Sequence, residues 1–179
     1  ALLAEEADYG KASVKLDEIT REIAENAGDH KILVFSQFLK MLDLIKGELE
    51  KMHISYEYLD GQTIDRKERV KNFQESSHTK VFLMSLKAGG VGINLTEADY
   101  VYLVDPLWNP AVEQQAIDRT HRIGQKKKVF AYKMICKDTV EEKILQLQEK
   151  KTDLVSELIS VESGFFKKLG RSDIENLFN

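Results

Sequence analysis

Two arginines stand three residues apart in the run QAIDRTHRIGQ, Gln115 to Gln125, and their chemistry favours one class of ligand. Arginine presents a planar fork of N–H donors that grips phosphate or carboxylate and stays charged at any biological pH. On a helix, Gln115, Arg119 and Arg122 fall at i, i+4 and i+7 and share a face, which leaves Ala116 and Ile123 for the protein interior. A solvated helix would pair its arginines with acids one turn away. Here Asp118 is merely adjacent to Arg119, and nothing at the right spacing neutralises either cation. The face is therefore aimed at an anion. His121 has no second histidine, cysteine or carboxylate at metal-ligand spacing, so a structural role is expected for it and no metal site.

A second polar group lies in SLKAGGVGINL, Ser85 to Leu95. Its three glycines at positions 89, 90 and 92 let the backbone approach another surface closely, and successive N–H groups there can form an anion-binding nest. The same pattern also serves a plain tight turn between strand and helix. Ser85 and Lys87 add a hydroxyl and a cation, a combination that suits phosphate. Further on, DPLWNP places the only tryptophan, Trp108, in a polar turn. Its indole either plugs the edge of the core or wedges against a partner. The sequence has no GxxxxGK[ST] loop to hold a nucleotide and no paired acidic box to hold magnesium. The simplest physical solution is a site completed from outside, with the arginines acting as fingers on a nucleotide bound to another domain.

Such groups need a frame. The 179 residues are 42% hydrophobic and 31% charged, the composition of one ordinary soluble globular domain. A net charge of −4 argues against coating nucleic acid by overall charge, so any anion site must be local. No run approaches the roughly 18 apolar residues of a membrane span, and ALLAEEADYGK lacks a basic flank. The expectation is an intracellular protein with no membrane partner, leaning toward a bacterial cytoplasm over a eukaryotic nucleus. The single cysteine, Cys136 in AYKMIC, cannot form an internal disulfide and reads as an inert position on a core strand.

Five short apolar runs read as strands: Lys31 to Ser36, Tyr56 to Leu59, Lys80 to Met84, Tyr100 to Val104 and Val129 to Ile135. Between them the period changes. Phe38, Met41, Leu42, Ile45, Leu49 and Met52 recur at helical spacing, Thr63 can cap a charged helix running to about Gln74, and Asn109-Pro110 is a helix start. This alternation predicts an α/β fold with a doubly wound, mainly parallel sheet. Ligands in such folds sit beyond the carboxyl ends of the strands, which here means Ser36-Gln37, Asp60 to Thr63, Ser85 to Asn94 and Asp105 to Asn109. A front helix carries the stripe Leu16, Ile19 and Ile23. At the back, Thr139 and Glu142 form a capping box before a long helix marked by Val140, Ile144, Leu147, Leu154 and Leu158. Ser172 and Glu175 make a second box in a short tail.

In this order and spacing, KILVFSQF, YLDGQT, SLKAGGVGINLTEADYVYLVDPLWNP and QAIDRTHRIGQ resemble the second RecA-like lobe of Swi/Snf-type ATPases of helicase superfamily two. The likeness covers about Ser13 to Leu158. It implies residues 1–12 as a lead-in, 13–137 as the RecA-like lobe, 138–162 as a brace helix packing back to a first lobe, and 163–179 as a tail. It further implies an ATP-driven translocase on double-stranded DNA, with ATP and Mg2+ held mainly by the first lobe, which this sequence lacks. Arg119 and Arg122 would be the finger pair, Gln115 and Gln125 would line the nucleotide cleft, and Gly92 would approach the nucleotide. Gln37, Gly61, Gln62, Thr63, Ser85 and Lys87 would hold DNA phosphates, with Trp108 placed against the DNA. The abrupt start without methionine fits a piece of a longer chain, inactive as an ATPase alone. Two rivals remain: a DEAD-box-like RNA helicase lobe, which the spelling RTHRIGQ opposes, and a non-catalytic flavodoxin-like interaction module.

Overall fold

The computed structural model describes residues 13–86, 88, 93–107, 109–118 and 125–149. The frame begins with helix α1 (Val14–Asn26), whose buried side holds Lys15, Ile19 and Ile23 at four-residue intervals. Strand β1 (Ile32–Ser36) follows and is buried at every residue, as an apolar β-branched run must be when both faces are covered. Helix α2 (Leu39–Lys51) buries Met41, Leu42, Ile45 and Leu49. After it come β2 (Tyr56–Leu59), α3 (Arg66–Glu75), β3 (Val81–Ser85), β4 (Tyr100–Leu103), α4 (Pro110–Ile117) and β5 (Phe130–Lys133). Residues 140–149 form a fifth helix, α5.

All five strands are parallel, in the order β2-β3-β1-β4-β5. The expected α/β, doubly wound, RecA-like sheet is therefore present. From the central β1 the chain winds outward through α2 to the β2 edge, and from β4 it winds the other way through α4 to the β5 edge. The winding direction reverses between β1 and β4, whose carboxyl ends border the crevice where open α/β sheets bind ligands. On one face α1 and α2 bury Ile19, Ile23, Leu42 and Ile45 against Ile32, Val34, Leu83 and Tyr102. On the other, Phe73 of α3 and Ala116 of α4 pack with Leu33, Phe35, Phe82 and Leu103.

Three local expectations are corrected. Thr63 does not cap α3: Asp65 precedes the helix, and the Thr63 hydroxyl is engaged with Asp60. The fifth strand is shorter than Val129 to Ile135, and all four of its residues are exposed at the edge of the sheet. Cys136 consequently lies beyond that strand, half-buried, and burial pushes its thiol pKa up. That leaves it a poor nucleophile. The Thr139 box forms in altered register: the Thr139 hydroxyl accepts from the Glu141 N–H, while Glu142 accepts from the Asp138 N–H instead of that of Thr139.

Candidate functional site

The crevice between β1 and β4 is closed by polar contacts. Ser36, the last residue of β1, donates its hydroxyl to the carboxyl of Asp105, and both residues are buried. Burial raises the Asp105 pKa above its ordinary value, against the opposing effects of the Ser36 hydroxyl, the Lys15 charge and the Gln37 backbone N–H. The Gln37 side chain donates to the Pro106 carbonyl at 3.4 Å. Beneath them Lys15, also buried, donates to the Val104 carbonyl at 2.8 Å and pairs with Glu141 of α5 at 2.6 Å. One cation thus ties the start of α1 to the end of β4 and the start of α5.

The loop after β2 is organised from within. Asp60 accepts from the N–H groups of Gln62 and Thr63, both at 2.9 Å, and from the Thr63 hydroxyl, an Asx-type turn. Burial pushes the Asp60 carboxyl up, but these hydrogen bonds together outweigh it and hold its pKa below the ordinary value. Two backbone donors expected to meet phosphate are therefore already engaged, while Gly61 and Gln62 stay exposed. A Cβ on Gly61 would meet nothing within 4 Å. Among the described residues no contact requires a glycine there.

In the sequence Arg66 is one more charge on a charged helix. Its guanidinium donates to the carbonyls of Thr63 (3.0 Å), Gly61 (3.1 Å), Asp60 (3.4 Å) and Ala88 (3.4 Å), joining the loop after β2 to the loop after β3. Ser85 closes β3 in register with Ser36 and is buried. The carboxyl rim of the sheet thus gathers Gln37, Gly61, Gln62, Thr63 and Ser85.

Helix α4 leaves this rim at Asn109, whose side chain accepts from the Ala111 N–H, with Pro110 at the first helical position as expected. Gln115 is exposed on α4, opposite the buried Glu113 and Ala116. Gln125 lies at the other end of the sheet, where its amide donates to the Ala98 carbonyl and its oxygen accepts from the Lys127 N–H, both at 2.8 Å. Gln125 therefore does not share the rim of Gln37 and Gly61. Arg119, Arg122, Gly92, Lys87 and Trp108 lie outside the described residues, as do His121, residues 1–12, the chain beyond 149 and its Ser172 box. Among the described residues no group of three or more His, Cys, Asp or Glu is placed to hold a metal ion. Nor, among them, is any helix long and apolar enough to cross a membrane.

Residues 14–124 match the family described as helicase conserved C-terminal domain. The chain belongs to this family. An uncharacterized ATP-dependent helicase of Mycoplasma pneumoniae is 42% identical over 90% of the chain and 16% of its own length. The DNA repair protein RAD5B of Arabidopsis thaliana is 44% identical over 82% of the chain and 12% of its own length. For the chromatin-remodeling ATPase INO80 of Drosophila melanogaster the identity is 43%, over 89% and 10%. The C-terminal part of the Fun30 ATPase domain superposes with a TM-score of 0.74 at 37% identity, over 80% of this chain and 47% of that one. The expected kinship with the second lobe of Swi/Snf-type ATPases holds. This helicase C-terminal domain spans 10–16% of these curated relatives. They include bacterial and eukaryotic proteins, which leaves the bacterial lean without support.

Proposed function

We propose that this helicase C-terminal domain is the second motor lobe of an ATP-driven translocase on double-stranded DNA. A first lobe of the same parent chain holds ATP and magnesium. This lobe supplies Arg119 and Arg122 as fingers that stabilise charge developing on the transferred phosphoryl group. Gln115, Gln125 and Gly92 border the nucleotide, while Gln37, Gly61 to Thr63, Ser85, Lys87 and Trp108 face the DNA. The observation that carries this reading is the placement of α4. It starts at the carboxyl rim of a helicase-type parallel sheet, exposes Gln115, and ends two residues before Arg119. The exposed backbone at Gly61 supports phosphate contact with little reading of base sequence.

In the two-lobed ATPase that carries this chain, Arg119→Ala or Arg122→Ala abolishes hydrolysis and leaves ATP binding intact. A drop on the order of 10³-fold is the scale for loss of an arginine finger. Full hydrolysis by both variants would overturn the assignment. Duplex DNA, and not single-stranded RNA, stimulates the parent enzyme; stimulation by RNA alone would move the chain to the DEAD-box-like reading. A flavodoxin-like interaction module would show no ATPase in either assay. This lobe without its partner does not hydrolyse ATP.

A further inference from the structure

Glu113 is the most deeply buried charged side chain described, 1% exposed, in a helix whose sequence PAVEQQAI looks like an ordinary surface stretch. Four elements meet on its carboxylate. Glu113 itself belongs to α4. One oxygen accepts from the Leu107 N–H at 2.8 Å, in the turn between β4 and α4, and from the Gln148 amide of α5 at 3.0 Å. The other is paired with Lys133 at the end of β5. The Gln148 amide also donates to the Leu107 carbonyl, so the Leu107 residue is gripped on both its N–H and its C=O.

Stability alone is a poor reason for such an arrangement. Removing a carboxylate from water costs several kcal/mol, and an apolar residue of like volume often serves a core as well or better. What a multiply bonded carboxylate supplies is geometry. Each bond is directional, and together they set the position of α4 relative to the turn before it and to α5. Arg119 and Arg122 follow α4 directly in the chain.

We infer that Glu113 is a positioning residue for the arginine fingers, and that Gln148 makes α5 part of the same device by gripping Glu113 and Leu107 together. This inference rests on the finger reading above. Helix α5 thereby sets how α4 sits at the rim, and a displacement of α5 reaches the start of QAIDRTHRIGQ through two hydrogen-bonded side chains. Fingers act only when held at the reacting centre, and a misplacement of about 1 Å can cost on the order of 10²-fold.

The test uses the two-lobed ATPase that carries this chain, with Gln148→Ala, Glu113→Ala, Glu113→Gln and, as reference, Arg119→Ala. Gln148→Ala and Glu113→Ala lower kcat on the order of ten-fold or more with KM for ATP unchanged, the signature of an interaction realised only in the transition state. Glu113→Gln keeps an acceptor for Leu107 and Gln148 and recovers part of that loss. In Gln148→Ala, amide hydrogen exchange quickens over residues 105–117 and stays unchanged over 14–51. Unaltered exchange over 105–117 overturns the inference whatever the rates do, as does wild-type kcat in Gln148→Ala beside an inactive Arg119→Ala. A fully active Arg119→Ala would instead remove the finger reading itself. Because Gln148→Ala leaves the buried charge paired with Lys133, the experiment does not depend on Glu113→Ala folding.

Discussion

The Ser36 hydroxyl donates to the Asp105 carboxyl across the ends of β1 and β4, joining residues 69 positions apart at the point where the sheet reverses its winding. Burial holds the Asp105 pKa above its ordinary 3.8, so the unfolded chain ionises this group first as pH rises. The stability that Asp105 contributes is therefore fully present below 3.8 and is lost as pH climbs through the higher folded value. Asp105→Asn keeps a carbonyl acceptor for Ser36 and cannot ionise. Its Tm relative to the parent chain should rise as pH climbs from 3.8 through the higher folded value and then level off. A Tm difference that is flat with pH would refute the titration account.

Gly61→Ala separates folding from binding. With open space around the position, the substitution should leave stability unchanged or raise it by about 0.4–1 kcal/mol through the unfolded chain. If the bare backbone meets DNA phosphate, the same variant weakens duplex stimulation of the parent ATPase while its basal rate holds. Undiminished stimulation would take Gly61 out of the DNA surface.

Arg66→Met removes the four carbonyl contacts that join the loops after β2 and β3. Charge-assisted hydrogen bonds of this kind are worth about 1.5–3 kcal/mol when fully buried, and Arg66 is only part-buried. Urea unfolding should show a loss of about 1–2 kcal/mol, with faster amide exchange confined to residues 60–64. Uniform acceleration across the sheet would mean that Arg66 supports the whole fold instead of these loops.

Lys15 and Glu141 should respond asymmetrically, because their side chains are 7% and 23% exposed. Glu141→Ala leaves a buried ammonium hydrogen-bonded, among the described residues, to the Val104 carbonyl and should cost about 3 kcal/mol, the scale for removing one partner of a buried charge pair. Lys15→Met leaves a carboxylate that water can reach and should cost about 1 kcal/mol. Equal costs in urea unfolding would show that burial does not set the energetics of this pair.

How far the sequence foretold the molecule depended on how local each cause was. KILVFS and KVFLM advertise buried parallel strands because their centres are continuously apolar, and β1 and β3 each start one residue inside those runs, with β3 extending one residue further to Ser85. Asn109-Pro110 marks α4 because cap and proline act within one turn. Thr63 misled because its oxygen serves Asp60, a choice that depends on how β2 ends. Glu113 was invisible as a buried group because Lys133 and Gln148 come from 20 or more residues away. One local signal did exist: three residues before Ala116, Glu113 shares the helix face that Ala116 presents to the core. Arg66 lacked even that, since its partners are backbone carbonyls of two loops.

The central position of β1 also governs when this molecule can acquire its shape. Its neighbours are β3 and β4, never the strand that follows it in the chain, so Ser36 waits for Asp105 and the sheet cannot close around its first strand until more than half of the residues are available. Long-range parallel pairing of this kind is slow to form. On a ribosome, the middle of the sheet would emerge first and remain open longest, and its apolar β1 would be the segment most in need of shelter until β4 arrives.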